Sequence, residues 1–202
     1  TRREITLVTG PAGTGKTLAV ADWTRESERV GPVAWLSLDR ADGSAPRLWR
    51  SLLSALNAGL GPDAFRDLEL PDTPDVGVLY QIAGGRETPI VLVLDDLQEL
   101  DQGDSLDWLA QLLRWPPDGM RFVLISRHDP PINLHRLRLE DKLSELQFTD
   151  LAFTRAESRE LLAMWGLSLG ERDLSRLVDA TGGWAAAIRL AALTLSTSDD
   201  AA

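Results

Sequence analysis

Eight consecutive residues, Gly10-Pro11-Ala12-Gly13-Thr14-Gly15-Lys16-Thr17, fit the pattern G-x-x-x-x-G-K-[ST] without a mismatch. The glycines and small residues let successive backbone N–H groups turn inward and form a concave nest for an anion. A helix starting near Gly15 or Lys16 points its positive dipole end at the same place. Lys16 can then reach the β- and γ-phosphates of a nucleotide, and the Thr17 hydroxyl can complete a Mg²⁺ shell. Lys16 and Lys142 are the two lysines among 21 basic residues, so a lysine where a compact, flexible charge is needed stands out in an arginine-rich chain. The bland alternative is a glycine-rich turn with no ligand.

A phosphate loop needs acids to hold the metal and position water. The apolar run Ile90-Val91-Leu92-Val93-Leu94 ends in Asp95-Asp96. Asp95 suits the metal side, and Asp96 beside it suits the base that polarises an attacking water; the plainer reading is that both only cap the next turn. Glu99 is a rival base, or one of a solvated group with Asp101 and Asp104. A further strand, read over Met120 to Arg127, ends in the polar pair Ser126-Arg127. At the carboxyl edge of an open α/β sheet these side chains would meet ligand, and Arg127 could sense a third phosphate. Alternatively Arg127 pairs with Asp129 on the surface. Arg2 and Arg3 can lie against the base. His128 and His135 read as loop residues. Gly182-Gly183-Trp184 is either a helix–helix corner packed by Trp184, or a corner that approaches the adenine or ribose.

The elements that must position these groups follow from periodicity. Ile5–Thr9 reads as a buried strand and the residues from Thr17 to Trp23 as a helix. Val33 to Leu38 is a second strand, Asp39 to Ala45 a polar loop, and Pro46 to Leu56 a helix with Leu48, Leu52, Leu53 and Leu56 on one face. A weaker helix covers 75–84, and an amphipathic one covers 105–115 before Pro116-Pro117. Leu143 to Phe148 alternates as an edge strand would. Strands and helices alternate to about residue 150, which predicts a doubly wound parallel sheet. From Thr154 the pattern is helical only, opening on the capping-box signature Thr154-Arg155-Ala156-Glu157. We therefore expect a core over 1–150, a helical bundle over 151–196 and a tail over 197–202.

The bulk numbers narrow the class. With 202 residues, 44% hydrophobic and 26% charged, the composition is that of an ordinary globular domain. The absence of cysteine removes disulfide, thiol and cysteine–metal chemistry, and two histidines make no zinc cluster. A net charge of −10 opposes a grip on a nucleic-acid backbone by this segment. No apolar run reaches the length of a membrane span. The charged start Thr1-Arg2-Arg3-Glu4 is unlike a signal peptide, so a cytoplasmic location is expected.

Several separated segments together resemble the ATPase module of the large MalT/LuxR-type transcriptional regulators, a branch of the STAND class of P-loop NTPases. They are Arg2-Arg3, Pro11 through Thr17, Val33 to Asp39, Leu48-Trp49 before Leu52-Leu53, Leu94-Asp95-Asp96, Ser126-Arg127, Leu137-Arg138-Leu139, and Thr181-Gly182-Gly183-Trp184 with Ile188 to Ala191. The resemblance implies a parallel five-stranded sheet of order 2-3-4-1-5 sandwiched by helices, followed by a small helical domain. It implies ATP or ADP with Mg²⁺, adenine as the base, and a switch: ADP in a closed form, ATP in an open form that self-associates, and slow hydrolysis as the reset. Carried over, Gly10 through Thr17 bind phosphate with Arg3 and Trp184 nearby, Thr17 and Asp95 hold the metal, and Lys16, Asp96 and Arg127 act on the third phosphate. The chain departs from the family at Thr14, often aromatic; at Ala185, often proline; and at Gln98, often histidine. Downstream winged-helix, sensor-repeat and DNA-binding helix-turn-helix domains are the implied partners. The competing expectation is a rapid AAA-type motor or loader.

Overall fold

The computed structural model describes residues 3–26, 31–66, 68–100 and 103–199; Arg2 and Asp101 lie outside them. The chain divides into two compact units. One holds the residues up to Thr9 together with Thr17–Leu146; the other holds Gly10–Lys16 together with the residues from Gln147 onward.

The first unit is built on its apolar runs. Strand β3 (Ile90–Asp95) is buried at every position, as a central strand covered on both faces must be. It lies in a five-stranded sheet with β1 (Ile5–Thr9), β2 (Val33–Ser37), β4 (Met120–Ser126) and β5 (Leu143–Leu146), in the order β2-β3-β4-β1-β5. Every pairing is parallel, so the expected sheet and strand order are observed. Register sets the site: Ser37 pairs with Asp95, Leu94 with Leu124 and Thr9 with Ser126. The carboxyl ends of β1, β3 and β4 therefore share one edge.

Helices α1 (Lys16–Glu26, of which all but Lys16 belongs here), α2 (Ala45–Leu60), α3 (Val76–Ala83), α4 (Asp104–Arg114) and α5 (Leu134–Leu139) complete this unit. Leu48, Trp49, Leu52 and Leu56 of α2 are fully buried, each worth roughly 1.5–3 kcal/mol or more of burial. The Trp49 indole N–H donates to the Pro71 carbonyl at 2.8 Å, and the ring meets Trp108 edge-on at 5.9 Å. Two expectations change. The polar loop after β2 contains a 3-10 turn, Arg40–Gly43, because Asp39 and Asp42 cap it reciprocally. The edge strand stops at Leu146, not Phe148: the Gln147 N–H donates to Asp150 Oδ2 at 2.8 Å and opens helix α6 (Phe148–Leu151). A local cap outweighs two more residues of edge pairing.

The second unit contains α6, α7 (Arg155–Ala163), α8 (Glu171–Thr181) and α9 (Ala185–Asp199). Its core is small: Leu162, Leu174, Ile188 and Ala192, flanked by Phe153, Leu161 and Leu177. The predicted capping box is formed, with Thr154 N–H donating to Glu157 Oε2 at 2.8 Å and Glu157 N–H donating to Thr154 Oγ1 at 3.3 Å. The Thr154 N–H, together with the Thr154 hydroxyl, which donates to the same oxygen at 2.7 Å, holds the Glu157 carboxyl below its usual range. The α8–α9 corner needs glycine. Gly183 sits at φ +73°, and a Cβ there would lie 2.6 Å from the Phe153 carbonyl oxygen, whose own N–H donates to Gly183 O. Helix α9 continues to Asp199 through residues expected to start a tail; residues 200–202 lie outside the described set. Among the described residues no helix is long and apolar enough to cross a membrane.

Candidate functional site

Within the first unit, the structure gathers four of the residues singled out by sequence at the carboxyl edge of the sheet. Thr17, in the first turn of α1, donates its hydroxyl to Asp95 Oδ1 at 3.3 Å, and the Asp96 N–H donates to the same oxygen at 2.9 Å. A hydroxyl beside a buried carboxylate is an oxygen pair of the kind Mg²⁺ takes from a protein when phosphate and water supply its other ligands. Among the described residues no group of three or more His, Asp or Glu side chains forms a self-sufficient metal site.

Asp96 follows in the left-handed region, at φ 57° and ψ 42°, a conformation that costs a non-glycine residue roughly 1–2 kcal/mol. That turn redirects its carboxylate. Asp96 Oδ1 accepts from Gln98 Nε2 at 2.7 Å and faces the Arg127 guanidinium at 4.0 Å. Gln98 Oε1 in turn accepts from the Arg127 N–H at 3.0 Å. The amide of Gln98 thus bridges the ends of β3 and β4. Nothing in the sequence marked Gln98 beyond its place where histidine is common, because its role exists only once β3 and β4 are adjacent. The surface pairing of Arg127 with Asp129 is not observed; Asp129 instead faces Arg138 at 3.6 Å. The rival base Glu99 pairs with Arg40 at 3.5 Å. Ser126, fully buried at the end of β4, has no hydrogen-bond partner for its hydroxyl among the described residues.

Arg3 is placed elsewhere. Its guanidinium donates to the Leu143 carbonyl at 2.8 Å and pairs with Asp141 at 2.6 Å, before the first residue of β1 and beside the first residue of β5. That is the amino edge, about 16 Å along a five-residue strand from the carboxyl edge. His128 and His135 are both exposed; His128 follows β4 outside any helix, whereas His135, expected in a loop, lies in α5.

The second unit carries the phosphate loop itself. Lys16 is buried, with Nζ donating to the carbonyls of Gly10 at 2.6 Å and Pro11 at 2.9 Å. Thr14 Oγ1 also donates to Pro11 O at 3.0 Å. Gly13 adopts φ +74°, which only glycine takes without strain. Residues of the α8–α9 corner reach this loop: the Trp184 indole N–H donates to the Ala12 carbonyl at 3.0 Å, and the Ala186 N–H to the Gly13 carbonyl at 3.2 Å. Of the two readings of Gly182-Gly183-Trp184, the corner geometry is present and the indole N–H is engaged by the loop backbone.

Comparison with known proteins gives the family and the fold likeness of the chain. Residues 1–125 match the family described as AAA ATPase domain. The chain is 31% identical over 206 residues to the HTH-type transcriptional regulator MalT of Serratia proteamaculans, covering 98% of this chain and 22% of that protein. It is 29% identical to the regulator of the same name from Klebsiella pneumoniae, again with 98% and 22% coverage. The chain thus spans about a fifth of the length of these relatives. Among solved structures, it resembles Cdc6p from Pyrobaculum aerophilum with a TM-score of 0.54 at 16% identity, covering 79% of this chain and 42% of that one. The Orc1 protein of Aeropyrum pernix in complex with DNA matches with a TM-score of 0.52 at 18% identity, over 100% of this chain and 56% of that one. At such identities the likeness is one of fold.

Proposed function

This chain belongs to the AAA ATPase domain family, and from that premise we propose that it is the ATP/ADP-binding switch module of a larger STAND-type transcriptional regulator. The observation that carries the nucleotide assignment is the Thr17–Asp95 oxygen pair at the edge where β1 hands over to the phosphate loop. Lys16 and the loop N–H groups would receive the phosphates, and Thr17 and Asp95 would hold a Mg²⁺ ion, which when bound would supply charge neutralisation for phosphoryl transfer. Asp96 takes a proton from water as its oxygen attacks the γ-phosphorus and the bond to the β–γ bridging oxygen breaks. Arg127 faces the charge gathering on the γ-phosphoryl oxygens.

Slow turnover is supported by the state of Asp96, whose Oδ1 is engaged by Gln98 and approached by Arg127. With one of its two oxygens so engaged, this base has less freedom to orient water, which suits a timer better than a motor. The partners in this reading are the rest of a chain some five times longer, including its DNA-binding part, and other copies of itself in the ATP state; this segment, at net charge −10, makes no nucleic-acid contact. The module works in the cytoplasm.

Calorimetric titration with ADP and Mg-ATP tests the assignment. Saturable binding of both is expected, with Lys16→Ala weakening it by about two orders of magnitude, the worth of two charge-assisted hydrogen bonds. Binding unaffected by that change would sink the reading. The alternative, a motor or loader, predicts turnover of roughly 1–100 s⁻¹, against which a rate near one per minute decides.

A further inference from the structure

A phosphate nest has a fixed polarity. If its N–H groups turn inward to the anion, neighbouring carbonyls turn outward and need donors of their own. In this chain two such carbonyls have them. Ala12 O accepts from the Trp184 indole N–H at 3.0 Å, and Gly13 O accepts from the Ala186 N–H at 3.2 Å. Ala186 is the second residue of α9, so its N–H has no partner within the helix. The unmet acceptors of the loop and the unmet donor of the helix satisfy one another. A steric contact adds to them: a Cβ at Gly13 would lie 2.5 Å from the Ala186 Cβ, so loop and helix touch there with no room for a side chain. The loop's first residue is close-fitted as well, since a Cβ at Gly10 would meet Phe148 of α6 at 3.4 Å.

We propose that Trp184 and the first turn of α9 are positioning elements for the phosphate loop. They hold the Ala12 and Gly13 carbonyls outward and so preset the loop's N–H groups for the β-phosphate of the nucleotide. Coupling of this kind is reciprocal: a phosphate that fixes the loop also tightens its hold on α9. Gly10–Lys16 is joined covalently to β1 and α1 yet groups with the helical unit. Phosphate occupancy therefore reaches the helices through two backbone carbonyls. The inference rests on the loop binding nucleotide phosphate, as proposed above, and assigns to Trp184 a duty toward the loop and not toward the base.

The test compares Trp184→Phe with the unmodified chain, using ADP and AMP as probes. Phenylalanine keeps an aromatic ring and removes the donor. ADP affinity is expected to fall about fivefold, the worth of one hydrogen bond, while AMP affinity, which has no β-phosphate to place, stays the same. Equal losses for both, or no loss for either, overturns the proposal. A second measurement needs no variant protein beyond assignment of the signal. The Trp184 indole N–H resonance, identified by its disappearance in Trp184→Phe, should shift and exchange with solvent several-fold more slowly when ADP saturates the chain. If calorimetry shows ADP bound and that resonance is unmoved, the proposal fails while the nucleotide assignment stands. If ADP does not bind the unmodified chain at all, both fail together.

Discussion

In the proposed reading, the acid edge of the sheet and the phosphate loop serve one nucleotide by different means. Asp95, Asp96, Gln98 and Arg127 act through side chains carried by the ends of two buried strands. In the proposed reading the loop from Gly10 to Lys16 acts mainly through its backbone, with glycine at the strained positions and donors from Trp184 and the first turn of α9 on the Ala12 and Gly13 carbonyls. The first region depends on which residues are present, and the second depends on what the chain around it permits. A substitution in the acid edge should remove chemistry and leave structure. One in the helical unit should loosen the loop without touching any group that contacts nucleotide.

The largest effect that would sharpen this contrast is on stability. Leu92, fully buried in β3, should cost about 3–5 kcal/mol as Leu92→Ala, whereas Ile188→Ala in the four-residue helical core should cost nearer the lower bound of about 2 kcal/mol. Urea unfolding of the two variants checks the order; the reverse order would mean the helical unit is the firmer one. Next is Asp95→Asn, which keeps the shape and removes the charge. It should abolish the tightening of ATP binding by Mg²⁺, a loss of roughly ten- to a hundredfold, and leave binding in EDTA unchanged. The smallest effect belongs to the α7 cap. Thr154→Ala should cost about 1 kcal/mol, read from thermal melts.

The same cap gives a pH dependence of definite sign. Because the Glu157 carboxyl is held below its usual range by the Thr154 backbone N–H and hydroxyl, its contribution is full above the ordinary glutamate pKa. It is lost as the pH falls through the lowered value. The difference in Tm between the unmodified chain and Glu157→Gln should therefore shrink as the pH is lowered from 7 into the acid range. A difference that grew on acidification would contradict the cap.

Much of the fold was legible because its signals are local. A phosphate loop is eight adjacent residues, β3 is one uninterrupted apolar run, and the α7 cap is a four-residue signature; each is determined by neighbours in the chain. The end of β5 was misjudged because edge alternation and the Gln147–Asp150 cap are both local signals, and only their energies decide between them. The strand order followed from the resemblance, and the register that aligns Thr9, Asp95 and Ser126 came from the packed sheet.

The sequence by itself therefore determined that this chain presents a phosphate loop, a pair of acids after a buried strand and a helical appendage. What the tertiary structure alone decided is which distant residues meet inside each unit. Gln98 bridges Asp96 and Arg127 because β3 and β4 lie side by side, Arg3 meets Leu143 and Asp141 because β1 and β5 are neighbours, and Trp184 found its acceptor 172 residues away. Hydrogen bonds between residues so distant leave no periodicity and no spacing in the chain. They exist only where burial of the apolar faces has already brought donor and acceptor within reach.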